Sequence, residues 1–238
     1  MSKDALRRIS RLDMREINNL DLAKQGIHIH FNEEDITKAI AIIVGPSDTP
    51  FEHGILYFTI EFPKDYPFSP PKVGYLSHSS YRIHPNLYVG KAYDRFIGKV
   101  CLSIINTWSG PKWTTVMHIG SVMLSIQSLL DKNPLHNEPG FENEVGERND
   151  LYNKIVQHDT FKHLILNNAF KMHPDYKVFE PVIHGYMNKN RVIMLDKVDA
   201  LLQEFPKRYT ISLNIYGITM IIDYKDIKKK LTKVLGDL

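Results

Sequence analysis

The 238-residue chain holds a single cysteine, Cys101, so the chemistry that needs paired thiols is closed to it. An intrachain disulfide and a multi-thiolate zinc or iron–sulfur site are both excluded. A lone thiol has two uses: a nucleophile, or a small buried hydrophobe, here between Val100 and Leu102. Fifteen positions upstream stands His84-Pro85-Asn86. Its proline fixes φ, and its asparagine can bond the backbone of its own turn. Downstream, His136-Asn137-Glu138 sets an imidazole, an amide and a carboxylate side by side. Of these side-chain types, an imidazole is able to accept a proton in general acid–base chemistry. The same stretch can equally be a loop packed by Pro134 and Pro139.

The elements that must position these groups are legible as changes of period. Residues 2–20 have the spacing of an amphipathic helix opened by Ser2, with Leu6, Ile9, Leu12, Ile17 and Leu20 on one face. Lys3, Arg7, Arg8, Arg11 and Arg15 gather opposite, as a solvated face or a docking face. Four strand signals follow at Ile27–Phe31, Ile36–Val44, Ile55–Phe62 and Lys72–Leu76, separated by Gly- and Pro-rich turns. Short connections imply an antiparallel meander. Helical spacing returns from Val116 to Leu130 and stops at Pro134, and a second helix is expected over about 150–169 with Ile155, Phe161, Leu164 and Ile165 inward. The order predicts an α+β fold, helices packed on one face of a sheet.

From His173 a different region begins. Val192–Phe205 has helical spacing closed by Pro206, 209–222 is ambiguous between strand and buried coil, and 223–235 is helical with Tyr224, Ile227, Leu231 and Leu235 on one side. The apolar faces of this tail, with Val192, Leu195, Val198 and Leu202 among them, must bury against something. We expect a first domain over 1–170 and an extension over 171–238 packed on it.

Composition narrows the class. Hydrophobic residues are 43% and charged residues 24%, as in ordinary globular chains, which excludes wholesale disorder. No apolar run approaches the roughly 18 residues of a bilayer span. The polar, basic N-terminus has no apolar core of a secretory signal. An unpaired thiol suits a reducing compartment, which points to the cytoplasm, the nucleus or a host's cytoplasm. A net charge of +3 is too mild to imply a nucleic-acid partner.

Three motifs in one order carry a family resemblance: Phe62-Pro63 through Tyr66-Pro67-Phe68 to Pro71, then His84-Pro85-Asn86, then Cys101-Leu102-Ser103-Ile104 with Thr107-Trp108-Ser109-Gly110. With Trp113 and Asn137-Glu138-Pro139-Gly140, they make residues 1–165 resemble the ubiquitin-conjugating enzymes, closest to the extended Z-type class. The resemblance implies a UBC-like fold: an N-terminal helix, a four-stranded antiparallel meander, C-terminal helices and an extension. It implies that Cys101 accepts ubiquitin or a ubiquitin-like protein as a thioester from an activating enzyme and passes it to lysine amines. The ATP is used by the activating enzyme, and this chain needs no metal or organic cofactor. The rival reading is an inert UBC-like adaptor that binds ubiquitin or ligases.

The resemblance also assigns roles. Asn86 either holds its loop or donates to the oxyanion of lysine attack, and His84 and Pro85 shape that turn. Glu138 or Asn137 would orient the amine, and His136 could take its proton. Lys3, Arg7, Arg8 and Arg11 would meet the activating enzyme. Phe68 falls where relatives bind ligases, although the Ser-Pro-Ala that usually follows the tryptophan is here Thr114-Thr115-Val116. The Asn86–Cys101 gap is longer than usual, so 89–97 is expected to be an insertion, with Lys91, Asp94 and Arg95 favouring an outward bulge. The expected partners are ubiquitin or a relative, the activating enzyme, a ligase and protein substrates, with the chain itself a monomer and no membrane or nucleic acid involved.

Overall fold

Five antiparallel strands in the order β1-β2-β3-β4-β5 form the main sheet. They are β1 (Ile27–Phe31), β2 (Lys38–Val44), β3 (Ile55–Glu61), β4 (Lys72–Leu76) and β5 (Ile97–Lys99). The computed structural model describes residues 2–90 and 97–238. The four expected strands are present, and β5 extends the meander by pairing Gly74 with Lys99 and Leu76 with Ile97. The 97–99 stretch is too short and too glycine-rich to signal a strand by composition. Gly98 is required by a close approach: a Cβ there would lie 1.6 Å from the Tyr88 carbonyl oxygen. The insertion expected over 89–97 falls mainly on 91–96, including Lys91, Asp94 and Arg95, outside the described residues.

By its internal contacts the chain forms two units. The first comprises Met1–Val44, Leu56–Ser80 and Asn86–Leu130, and the second Gly45–Ile55, Tyr81–Pro85 and Asp131–Leu238.

In the first unit the N-terminal helix is continuous but not uniform. α1 (Lys3–Arg8) and α2 (Met14–Asn19) flank a π-helical stretch, Ile9–Asp13. Ser2 caps it by accepting from the Ala5 amide at 3.1 Å. The π-helical turn takes an extra residue and rotates the inward face. Ala5, Ile9 and Asp13 are buried, whereas Leu6 is exposed and Leu12, Ile17 and Leu20 are half-buried, which corrects the face expected from the 3.6 period. Asp13 is inward because it does structural work. It accepts from Tyr66 Oη at 2.7 Å and from the Ile119 amide at 3.0 Å, tying the helix to α3 (Ile119–Leu129). Burial pushes its carboxyl above the usual range, against the opposing pull of those hydrogen bonds and of Arg8.

α3 starts later than its apolar spacing suggested. His118 and Ser121 form a reciprocal capping box, which leaves Val116 outside the helix and 80% exposed. Ile119, Val122, Met123 and Ile126 bury the inward face.

The second unit is built on α4 (Glu147–Asp159), which runs on through a π-helical stretch, Thr160–Ile165, and buries Ile155, Phe161, Leu164 and Ile165 as expected. α5 (Glu180–Lys189), α6 (Arg191–Glu204) and α7 (Tyr224–Gly236) follow, with the hairpin β6 (Tyr209–Leu213) and β7 (Ile218–Ile222) before α7. α7 buries Tyr224, Ile227, Leu231 and Leu235, the expected face. In α6 the buried set is Met194, Val198 and Leu201, while Val192 is 63% exposed and Leu195 and Leu202 are half-buried, so the expected face is corrected by part of a turn. No helix among the described residues is long and apolar enough to cross a membrane.

The junction of α4 and α7 depends on an uncharged histidine. His158 Nε2 accepts from the Asp223 amide at 3.1 Å, and its ring meets Tyr224 edge-on at 5.5 Å. Burial holds the imidazole down to about 4, with Lys162 and His163 adding to the effect and Asp223 and Asp226 opposing it. The unfolded chain takes up this proton near pH 6.5 and the folded chain only near 4, so stability is lost as pH falls through that window. By pH 5 the loss should reach about 2 kcal/mol. Urea unfolding at pH 7 and pH 5 tests this. His158→Gln keeps an acceptor without titrating, so its midpoint should fall less on acidification; an equal fall would assign the acid sensitivity to other groups.

Candidate functional site

In the first unit, Cys101 follows an isolated antiparallel bridge between Leu87 and Val100 and precedes a 3₁₀ turn, Ser103–Ile105. It is 2% exposed. Asn86 lies opposite and is bonded to it twice. The Cys101 amide donates to the Asn86 carbonyl at 2.9 Å, and Asn86 Nδ2 donates to the Cys101 carbonyl at 2.7 Å. The two residues are therefore held in register by backbone and side chain together. Of the two uses foreseen for the Asn86 amide, the structure displays the loop-holding bond.

Thr107 closes the other side of the cysteine. Its hydroxyl donates toward the carbonyls of Val100 at 2.8 Å and Leu102 at 3.1 Å, and accepts from the Leu102 amide at 2.9 Å. One side chain thus ties down the backbone on both flanks of Cys101. Sequence reasoning quoted Thr107 only as part of a motif; a hydroxyl six positions after a cysteine gives no local signal of that role. Asn106 turns the chain at φ 60° and accepts from the Trp113 amide at 3.1 Å. Trp113 Nε1 in turn donates to the Pro67 carbonyl at 2.7 Å, anchoring the loop that carries Phe68. Phe68 is 80% exposed, so it fills no core.

On the N-terminal helix, Lys3, Arg7 and Arg11 are exposed. Arg8 is not part of that outer face. It donates to the Met117 carbonyl at 2.8 Å and lies 3.7 Å from Asp13, so it braces the helix against the chain before α3.

The second unit holds the remaining candidates. His84 is fully buried with its ring 6.0 Å from Phe51, as a core residue would be. His136 Nε2 bonds the Glu144 carbonyl at 2.7 Å, and Asn137 Nδ2 donates to the Pro134 carbonyl at 3.3 Å; both serve their own loop. Glu138 is engaged by side chains instead. The hydroxyl of Tyr216 donates to it, and Arg82 lies 3.9 Å away. Neither Tyr216 nor Arg82 was foreseen from the sequence. The Asn214-to-Gly217 turn between two alternating runs was the available signal for the hairpin that carries Tyr216.

An α+β sheet-and-helix fold in which one cysteine is held against a His-Pro-Asn asparagine defines a class, and comparison with known proteins agrees with it. The ubiquitin-conjugating enzyme family matches residues 12–160, more than half of the chain. The chain belongs to that family. It is 43% identical over 141 residues to ubiquitin-conjugating enzyme E2 Z of Danio rerio, covering 58% of this chain and 40% of that one. It is 36% identical over 210 residues to probable ubiquitin-conjugating enzyme protein 17 of Caenorhabditis elegans, covering 83% of this chain and 28% of that one. A match of that extent cannot fit within residues 1–170, so part of the tail is shared with that relative. The solved E2 domain of a Toxoplasma gondii ubiquitin conjugating enzyme aligns with 65% of this chain and 99% of its own, at 25% identity and a TM-score of 0.47. The chain spans less than half the length of these curated relatives.

Proposed function

We propose that the chain carries ubiquitin or a ubiquitin-like protein on Cys101 and transfers it to lysine amines of other proteins. The observation that carries this reading is the double bonding of Cys101 to Asn86 within the family match. In the first step the Cys101 thiolate attacks the modifier's thioester on an activating enzyme, and the activating enzyme's thiolate leaves. Sulfur is both a good nucleophile and a good leaving group, so the exchange needs no further energy source. ATP is spent by the activating enzyme. In the second step a neutral lysine amine attacks the carbonyl. The C–N bond forms, the C–S bond breaks, Cys101 leaves as thiolate, and the amine's surplus proton passes to solvent or a base. At an ordinary pKa of about 10.4 only about one amine in a few thousand is neutral at pH 7, so the site must orient and desolvate it. Resemblance to the family gives Glu138 or Asn137 that task, and Asn86 is the donor we assign to the oxyanion. Exposed Phe68 is the contact we assign to a ligase. A reducing compartment such as the cytoplasm fits a working thiol.

The test is a charging reaction with ATP, a panel of activating enzymes and several modifiers, resolved on non-reducing gels. A Cys101-dependent adduct supports the reading. Binding of modifier with no adduct under any pairing would leave an inert adaptor.

The exposed face formed by Lys3, Arg7 and Arg11 is proposed to meet the activating enzyme. Reversing Arg7 and Arg11 to Glu should raise the enzyme concentration needed for charging several-fold, with melting unchanged, because exposed charges contribute little to stability. Wild-type charging should also weaken with added salt. Identical charging curves for the double variant would make this an ordinary solvated face.

A further inference from the structure

Two peptide planes meet at the Cα of Cys101, and each is held at both ends. In the plane before it, the Val100 carbonyl accepts from the Thr107 hydroxyl at 2.8 Å and the Cys101 amide donates to the Asn86 carbonyl at 2.9 Å. In the plane after it, the Cys101 carbonyl accepts from Asn86 Nδ2 at 2.7 Å and the Leu102 amide donates to Thr107 Oγ1 at 2.9 Å. Asn86 thus supplies one grip on each plane and Thr107 the other. A planar peptide held at its N–H and its C=O cannot turn without breaking a bond, which leaves χ1 as the free rotation of the thiol. Thr107 is itself fixed. Its amide donates to the Leu102 carbonyl at 3.2 Å, and its one hydroxyl proton is shared between that carbonyl, at 3.1 Å, and the Val100 carbonyl. Its branched Cβ is stiff at χ1, so ordering the hydroxyl costs little rotamer freedom. All of these residues belong to the first unit.

We propose that Thr107 is a positioning residue for Cys101: its hydroxyl, acting against Asn86, fixes the direction of the thiol for acyl transfer. The inference rests on the conjugation reading above and deepens it by naming a group that both transfer steps depend on. In charging, the Cys101 sulfur bonds to the modifier's carbonyl carbon, the carbon's bond to the activating enzyme's sulfur breaks, and that sulfur leaves as thiolate. In discharge a lysine nitrogen bonds to the same carbon and the Cys101 sulfur leaves as thiolate. Each step needs the sulfur and the carbonyl aligned within a narrow approach, so a loosened Cα costs rate in both. A small neutral alkylating agent makes no such demand, because it approaches the thiol from whichever side is open.

Thr107→Val keeps the branched shape and removes the hydroxyl, whereas Thr107→Ser keeps the hydroxyl. T107V should lower the maximal rate of charging and the single-turnover rate of lysine discharge by about ten- to a hundredfold. The activating-enzyme concentration for half-maximal charging should not change. Iodoacetamide labelling of Cys101, the only cysteine in the chain, should be no slower than in wild type. T107S should recover most of the lost transfer rate. Wild-type transfer by T107V, an equal loss in T107S, or labelling that slows in step with transfer each overturn the proposal and leave the conjugation reading intact. Thr107→Ala is the second hydroxyl-free variant, and failure of both T107V and T107A to fold overturns it too, because Thr107 then serves stability alone. A wild-type chain that forms no Cys101 adduct with any activating enzyme overturns both.

Discussion

Cys101→Ser should abolish the reductant-labile adduct and replace it with a slower-forming one that survives thiol reductant, because an oxygen ester stands where the thioester stood. Cys101→Ala should give no adduct at all. The difference in rate is large because a hydroxyl is a far weaker nucleophile than a thiol near neutral pH, where an ordinary cysteine is already a few per cent thiolate. Both variants need a folding control, since Cys101 is 2% exposed and its neighbours Val100 and Leu102 are buried. A serine hydroxyl there costs on the order of 1–3 kcal/mol if it finds no partner. A melt within a few degrees of wild type keeps the chemical interpretation clean. An adduct of unchanged yield in Cys101→Ala, necessarily resistant to thiol reductant because no other cysteine is present, would place the acceptor elsewhere and end the proposal for Cys101.

The burial of the thiol matters for how the first step is measured. A group that is 2% exposed must become accessible before a second protein's thioester can reach it. The bonds that hold its backbone come from Asn86 and Thr107, so opening has to preserve or break identifiable contacts.

What the sequence disclosed depended on whether the information was local. β1 and β4 were legible to the residue because their β-branched and aromatic runs end at turn residues. The inward face of α7 was legible because its spacing is regular, and Ile155, Phe161, Leu164 and Ile165 are buried as expected although the last three lie in the π-helical stretch after α4. The N-terminal helix was mis-phased for a physical reason: the 9–13 stretch is π-helical, and its inward position is taken by Asp13, whose partners Tyr66 and Ile119 lie 53 and 106 positions away. An aspartate in such a place looks solvent-facing until its partners are known. α5 went unforeseen because only Ile183 and Met187 are buried along it, and Pro181 and Gly185 break its pattern.

The site divides the same way. Cys101 and Asn86 announced themselves by motif, and their pairing across fifteen positions follows from one short bridge. Glu138 was legible as a carboxylate in a proline-bounded loop, but Tyr216, 78 positions downstream, was not. The contacts that set a side chain's orientation are long-range, whereas the side chain's type is local. Motifs therefore located the groups that could react and left those that hold them to the fold.

Asn86→Ala should impair discharge to lysine by roughly 10²–10³-fold, about 2.7–4 kcal/mol, while charging falls far less. The asymmetry follows from where each oxyanion forms. In thioester exchange the activating enzyme supplies part of the surroundings of the tetrahedral intermediate, whereas in lysine attack this chain must stabilise it. The structure adds a competing possibility with its own magnitude. Asn86 Nδ2 holds the Cys101 carbonyl at 2.7 Å, and losing that bond alone should cost about 1 kcal/mol of stability and loosen the cysteine in both steps. A carboxamide has two N–H donors, so a bond to Cys101 and one to an oxyanion are chemically compatible. Asn86→Asp separates the two uses from size, since it keeps the shape and loses the donors. If both variants slow discharge by two orders of magnitude more than charging, the amide acts on the transition state. If charging and discharge fall together, and the melting temperature falls with them, Asn86 is the clasp that holds Cys101 in register and the oxyanion donor must be sought elsewhere.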